Sequence, residues 1–381
     1  MDALNWSPVK NKVIAAGHVC LDITPVFPDA CAGRKAENWF RPGKLIHTEG
    51  CDVHTGGSVA NTGLALKKMG QDVLLMGKTG TDAFGDLLGN LLCPEGTEGL
   101  IRDPASPTSY TVILAPPGVD RMFLHSPGAN DTFSEEDIPD AALAQSRLIH
   151  FGYPPLMKNM MKDHGAQLKK LFERAERCGC ASSLDMAAVD PVSEEGRIDW
   201  RAWLENCMPV TDFFLPSFEE ILFMLNREKY DLLCRMGGDM TDRIDMKKDV
   251  LPLAEELIGM GVACTVIKCG VKGMLMMSGS AERMKRVPGG LTDHPCWADR
   301  CLFRPCIRAD KVLSATGAGD TAIAAFLCGV LDGKGPENSL FLAAAQGACC
   351  VTAWDAVSAL LTADQLEARY AAEKGNLFEM A

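Results

Sequence analysis

The sequence predicts an α/β fold built on a mostly parallel, doubly wound sheet, with a small accessory sheet projecting from it. Three observations predict this. Short apolar runs of strand length recur along the chain and alternate with segments of helical length, the pattern of βαβ units. A Pro-, Gly- and charge-rich excursion over residues 23–54 interrupts the alternation and suits a small separate sheet. Near the C-terminal end, Leu313-Ser314-Ala315-Thr316-Gly317-Ala318-Gly319-Asp320-Thr321 runs into the small apolar stretch 322–331, which reads as a buried helix with Gly-Ala-Gly-Asp at its start.

Taken in order, Lys12 to Asp22 reads as a buried first strand with Asp22 at its C-terminal edge, the edge where open α/β sheets bind ligands. A turn Asp ahead of Pro25 is the bland alternative. Within the excursion, Leu45-Ile46-His47 and Cys51-Asp52-Val53-His54 read as short strands. Gly56 and Gly57 then precede a helix with apolar positions at Val59, Leu64, Leu66 and Met69, and Gly70 fits its C′ position. Asn61 in the first turn competes for backbone bonds; a polar ligand accounts for it, and so does a local cap. Residues 72–77 form the next strand and 82–88 begin a helix. Residues 110–115 and 121–125 flank a Pro-Pro-Gly turn as a hairpin. Strands follow at 147–152, 181–185 and 212–216, with helices around 157–178, 200–207 and 217–225. Residues 263–268 and 273–277 form a further strand pair. No internal repeat appears, and 1–381 reads as a single domain. Local insertions are expected at about 235–248, charged and Met-rich, and 281–308, with Pro, Cys and Arg.

With 38 basic and 50 acidic residues the net charge is −12, which argues against nucleic acid as the main partner. Met1 to Lys10 is polar and lacks a signal-peptide core, and no apolar run reaches the ~18–20 residues of a membrane span. A cytoplasmic protein without a membrane partner is expected. The sixteen cysteines are scattered and read as free thiols. His294, Cys296, Cys301 and Cys306 lack zinc-finger or ribbon spacing and read as a thiol-rich surface loop.

The chemistry sits at the Gly317–Asp320 helix start. Such a start leaves backbone N–H groups unpartnered and partly positive, and glycines let an anion approach them. A carboxylate in the first turn can then act as a base on whatever lies beside that anion. Phosphate cradle and adjacent base are the minimal equipment of a phosphotransferase. The first strand is not followed by Gly-x-Gly-x-x-Gly, which disfavours a dinucleotide oxidoreductase, and no Gly-x-x-x-x-Gly-Lys-Ser/Thr occurs.

Two separated motifs, Gly56-Gly57-Ser58-Val59-Ala60-Asn61 and Thr316-Gly317-Ala318-Gly319-Asp320, resemble those of the PfkB (ribokinase-like) family of small-molecule kinases. The resemblance covers about residues 12–358. Gly77-Lys78-Thr79-Gly80, Phe84-Gly85, Pro127-Gly128-Ala129-Asn130 and Gly270-Val271-Lys272-Gly273 agree with it. It implies a ribokinase-like αβα three-layer domain with a β-sheet lid from about 23–54 and 108–126. It implies an ATP- and Mg²⁺-dependent kinase acting on a hydroxyl of a sugar or related polyol. Asp22, Gly56, Gly57 and Asn61 would bind the substrate, and Asp320 would be the catalytic base. The amides of Gly317, Ala318 and Gly319 would form an anion hole. Lys268, Gly270, Gly273 and Thr316 would lie at the ATP pocket, although Lys268 and Lys272 also read as plain solvated charges. Glu220 would help order Mg²⁺ indirectly. Relatives commonly form lid-to-lid dimers, so a homodimer is expected.

The sequence departs from the family pattern in three places. Ser217 stands where the family usually has Asn, with Glu220 in register. Ser314 stands six residues before Asp320, where many relatives carry an Asp that helps bind a monovalent cation, which leaves such a cation doubtful. Gly152-Tyr153-Pro154-Pro155 stands where ribose sites often have Glu. A nucleoside kinase is the alternative, with Phe27, Trp39 and Phe40 as a candidate wall for a base. A non-catalytic ligand-binding relative is the other.

Overall fold

The apolar run at 12–22 does not form one strand. In the computed structural model, which describes residues 10–28, 42–117 and 121–380, it breaks at Gly17 into β1 (Lys12–Gly17) and β2 (Cys20–Val26). Gly17 has φ +117°, and a Cβ there would lie 2.3 Å from the carbonyl oxygen of Gly152. The amide of His18 donates to that same oxygen at 3.2 Å. The chain therefore leaves the main sheet at Gly17, and Asp22 lies on a strand of the small sheet. This corrects the expectation of Asp22 at the end of a main-sheet strand.

The first half continues with β3 (Gly50–Gly56), α1 (Ser58–Lys68), β4 (Asp72–Gly80), α2 (Ala83–Leu92) and β5 (Leu100–Asp103). The hairpin is β6 (Tyr110–Leu114) and β7 (Met122–Ser126), followed by α3 (Asp140–Gln145), β8 (Ser146–Gly152) and α4 (Lys158–Arg177). Then come β9 (Ala181–Asp185), α5 (Trp200–Cys207), β10 (Phe213–Phe214), α6 (Phe218–Leu225), α7 (Arg227–Met236) and α8 (Leu251–Gly259). The chain closes with β11 (Cys264–Lys268), β12 (Gly273–Ser278), α9 (Ala281–Lys285), β13 (Cys301–Pro305), α10 (Ala318–Leu331), α11 (Gly335–Cys350), α12 (Ala363–Arg369) and β14 (Phe378–Glu379).

Among the described residues the main sheet has ten strands in the order β14-β13-β12-β11-β10-β9-β8-β1-β4-β5. It is parallel from β5 to β11, and β12, β13 and β14 extend it antiparallel. From β1 the chain builds outward to β4 on one side and, later, to β8 on the other. The crevice beyond β1 and β8 is thus a topological switch point, where ligands bind in this class of sheet. Alternation along β1 feeds two cores: Val13 and Ala15 pack with α1, α10 and α11 on one face, and Ile14 and Ala16 pack with α4 to α8 on the other. Helix α10 is buried from Asp320 to Leu331.

The small sheet runs β3-β2-β6-β7. Its body begins at Cys20 and includes all of 50–56, whereas Leu45–His47 is not a strand and Leu45 is exposed. Trp39 and Phe40 lie outside the described residues. Phe27 packs with Ile46 and Leu114 rather than standing on a ligand cavity. The segment 281–308 is only partly an outgrowth, because Cys301–Pro305 pairs with β12 as a full strand of the main sheet. Arg304 points inward there, donates to the carbonyls of Glu373 and Lys374, and lies over the Phe341 ring. Among the described residues no helix is long and apolar enough to cross a membrane.

Gly17→Ala is expected to destabilise the fold by about 2–5 kcal/mol, from left-handed strain plus collision with the Gly152 backbone. Calorimetric melting checks this; an unchanged transition would mean the lid junction tolerates a side chain.

Candidate active site

The first turn of α10 is built to keep its amides open. Gly317 caps the helix at φ +73°, and a Cβ on it would sit 2.2 Å from the Cβ of Ala356. Among the described residues the amides of Gly317, Gly319 and Asp320 have no acceptor. The amide of Ala318 differs from the expectation: it closes a turn on the carbonyl of Ala315 at 3.3 Å. Lys268 passes close by, its Nζ 3.8 Å from where a Cβ on Gly319 would lie.

Asp320 is 4% exposed. Its Oδ2 accepts from Asn61 Nδ2 at 3.0 Å and its Oδ1 from Thr62 Oγ1 at 3.4 Å. The Tyr153 hydroxyl donates at 2.8 Å to either oxygen. Burial pushes this carboxyl above its ordinary value, the donors from Asn61 and Tyr153 and the charge of Lys268 pull it back, and Glu220 adds to the rise. Asn61 is thus neither a local cap nor a solvent residue. It joins α1 to α10.

A cavity of about 940 Å³ opens in front of Asp320. Asp22, Gly57, Asn61, Glu220, Lys268, Thr316, Gly317, Gly319 and Asp320 all reach its wall. Gly56 does not, but a Cβ on it would lie 2.4 Å from the Asp22 carboxylate, so its role is to let that group sit where it does. The small sheet forms the roof. Strand period two turns Cys20 and Asp22 of β2, Thr111 and Ile113 of β6, and Phe123 and His125 of β7 inward. Asp22 and Thr111 are register partners, as are Thr111 and His125. Burial raises the Asp22 carboxyl to about 6; hydrogen bonds from Cys20 and Thr111 offset part of this, and the charge of Asp320 adds to it.

Ser217 and Glu220 form a capping box on α6: the Ser217 amide donates to Glu220 Oε2 at 2.7 Å, and the Glu220 amide to Ser217 Oγ at 3.3 Å. Gly270 and Gly273 do not reach the cavity wall. They shape the β11–β12 turn, against Thr241 and the Arg304 carbonyl. Lys268 is not a solvated charge. Its side chain is 15% exposed and its Nζ lies 2.7 Å from Asp185 Oδ1. Burial raises the Asp185 carboxyl and Lys268 pulls it down.

The sequence reading missed Asp185, His18 and the part played by Tyr153. Asp185 ends a main-sheet strand, a signal that was there to use. His18 sits at the junction of body and roof with Nδ1 buried and unpartnered among the described residues. Burial, with a smaller push from His125, lowers it to about 3, so it is uncharged. His125 is lowered too, by burial. Arg121, at the start of the roof's last strand, donates to the Thr316 hydroxyl. Among the described residues no group of three or more His, Cys, Asp and Glu side chains is placed to hold a metal ion, and His294 spends its Nδ1 capping the amide of Cys296.

With this geometry in view, comparison with known proteins is decisive. The sequence model of the pfkB family carbohydrate kinases matches residues 19–363. The chain belongs to that family. This carbohydrate kinase is 26% identical over 322 residues to a probable fructokinase-5 of Arabidopsis thaliana, covering 81% of this chain and 85% of that protein. It is 22% identical over 363 residues to the 5-dehydro-2-deoxygluconokinase of Bacillus subtilis, covering 93% and 94%. Among solved structures, a fructokinase from Xylella fastidiosa with bound ATP superposes with a TM-score of 0.69 at 18% identity, covering 96% of this chain and 99% of that one. An Arabidopsis thaliana ribokinase complexed with ribose and ATP gives 0.67 at 18% identity, covering 94% and 98%. The kinase therefore has the ribokinase fold, and its small sheet lies where the cavity needs a lid.

The raised Asp22 carboxyl carries a pH signature. Between the ordinary carboxylate value of 3.8 and about 6, the unfolded chain loses this proton while the folded kinase keeps it. Stability therefore falls across that window, and the penalty is complete above it. Asp22→Asn is expected to melt higher than the parent above pH 6 and alike below pH ~4. Melting curves that stay parallel at every pH would contradict this.

Proposed function

We propose that this kinase transfers the terminal phosphoryl group of ATP to a hydroxyl of a neutral sugar or related small polyol, with Asp320 as base. The observation that carries the reading is a buried carboxylate beside open helix amides, facing a roofed cavity that Asp22 and Asn61 share. ATP supplies the phosphoryl group, and the cradle suits it: among the described residues the amides of Gly317, Gly319 and Asp320 have no acceptor, and Lys268 Nζ lies 3.8 Å from where a Cβ on Gly319 would be. Thr316 flanks the same cradle. Glu220, held by its capping box, would order Mg²⁺ through water.

The acceptor hydroxyl lies between Asp22, Asn61 and Asp320 in this reading. Asp320 takes its proton as the new bond forms. The open amides stabilise charge where it develops, and alignment supplies much of the remaining catalysis. The lid excludes water, which would otherwise compete as acceptor. A neutral acceptor suits a wall where Asp22 faces the uncharged His18 imidazole and Lys268 is already paired with Asp185, and a sugar acid would meet Asp22 as a like charge. A nucleoside is not favoured, since the curated relatives are named as sugar or sugar-derivative kinases. Use of ATP suits a cytoplasmic enzyme, and the exposed Leu124 of the lid suits a homodimer through that sheet.

Asp320→Asn is expected to lower turnover by about 10³-fold or more, with ATP binding kept within a few-fold by calorimetric titration. Near-parental turnover would sink Asp320 as base. ADP release measured over neutral sugars, sugar acids and nucleosides tests the acceptor; turnover confined to acids or nucleosides would overturn it.

A further inference from the structure

Tyr153 stands in a backbone conformation that a tyrosine rarely adopts, φ +64° and ψ +41°. Such strain persists only where the surroundings impose it. Here Gly152 and β8 lie before it, Pro154 and Pro155 after it, and its amide donates to the Asp185 carbonyl at 3.3 Å. The result aims the side chain inward, across the cavity floor, to put its hydroxyl 2.8 Å from both oxygens of Asp320. Among the described residues no other side chain bonds both oxygens: Asn61 takes one and Thr62 the other.

We propose that Tyr153 is a positioning residue for the reaction, holding the Asp320 carboxylate in one orientation and in its proton-accepting form. This rests on the reading of Asp320 as base. The physical argument is that a donor shared by two carboxylate oxygens resists rotation of the group, and that it stabilises the anion against burial. Tyr153 can only donate here, because burial and the Asp320 charge hold its phenol above its ordinary value.

The other groups facing Asp320 do not replace it. Asn61 and Thr62 come from α1. Lys268 from β11 is already paired to Asp185 of β9. Glu220 of α6, Asp185 and Asp22 of the lid are acidic and oppose ionisation. Cys350 of α11 is a neutral thiol, pushed up to about 11 by burial. The donor set is therefore thin against several carboxylates, and the tyrosine is the member whose loss leaves each oxygen with one donor.

Removing it raises the Asp320 value, so the acid limb of kcat/KM moves to higher pH. Tyr153→Phe is expected to shift that limb upward by about one to two pH units, with most of the lost kcat recovered on the alkaline side and KM for ATP little changed. Tyr153→Leu, which also lacks the hydroxyl, should shift the limb the same way; thermal melting of both variants shows that they are folded. A limb at the parental pH, or a loss of kcat equal at every pH, in folded Tyr153→Phe would overturn the role of Tyr153. Near-parental turnover of Asp320→Asn would instead remove the base itself, so the two failures are distinct.

Discussion

The hydrogen bond from Asn61 to Asp320 joins residues far apart in the chain, one near the start of α1 and one in the first turn of α10. Much of the site depends on it. A carboxylate this buried is costly unless donors surround it. Donors come from α1 and from the turn after β8, so those elements must converge on one point. Their convergence sets the floor of the cavity and brings two helix starts face to face. The lid then needs only to supply a roof.

The main sheet supplies the convergence. The ends of β1, β8, β9 and β11 deliver His18, Tyr153, Asp185 and Lys268 to one crevice. Residues that mean little in isolation acquire a role because parallel strands end together. The same logic explains why the chain leaves the sheet at Gly17. A continuous strand would have carried Asp22 past the cavity, whereas the break hands it to the roof of the cavity that Asp320 also lines.

Much of the fold was legible because alternation of strand and helix, and glycines at helix starts, are local signals. The buried run after Asp320 and the Gly70 end of α1 were of this kind. The Gly-Gly-x-x-x-Asn and Gly-Ala-Gly-Asp stretches stood out because a backbone that must approach another group closely can use little else there. Strand β13 escaped notice because its inward Arg304 breaks the apolar pattern; the two terminal nitrogens of the guanidinium donate to distant carbonyls that no local window contains. Asp22 was found but assigned to the wrong sheet, since nothing in an apolar run reveals that its middle glycine abuts another strand. Lys268 looked solvated because its partner Asp185 is remote in sequence. Tyr153 was visible only as a departure from a pattern, and its role exists only through the turn that aims it.

The main sheet also ends abruptly on both sides. Its outermost strands are β5, of four residues, and β14, of two. A sheet edge is a row of unpaired amides and carbonyls that can recruit a strand from another chain. Edges this short give such a recruit little to hold. A ten-stranded sheet thus keeps its breadth for seating the crevice while offering a poor template for aggregation.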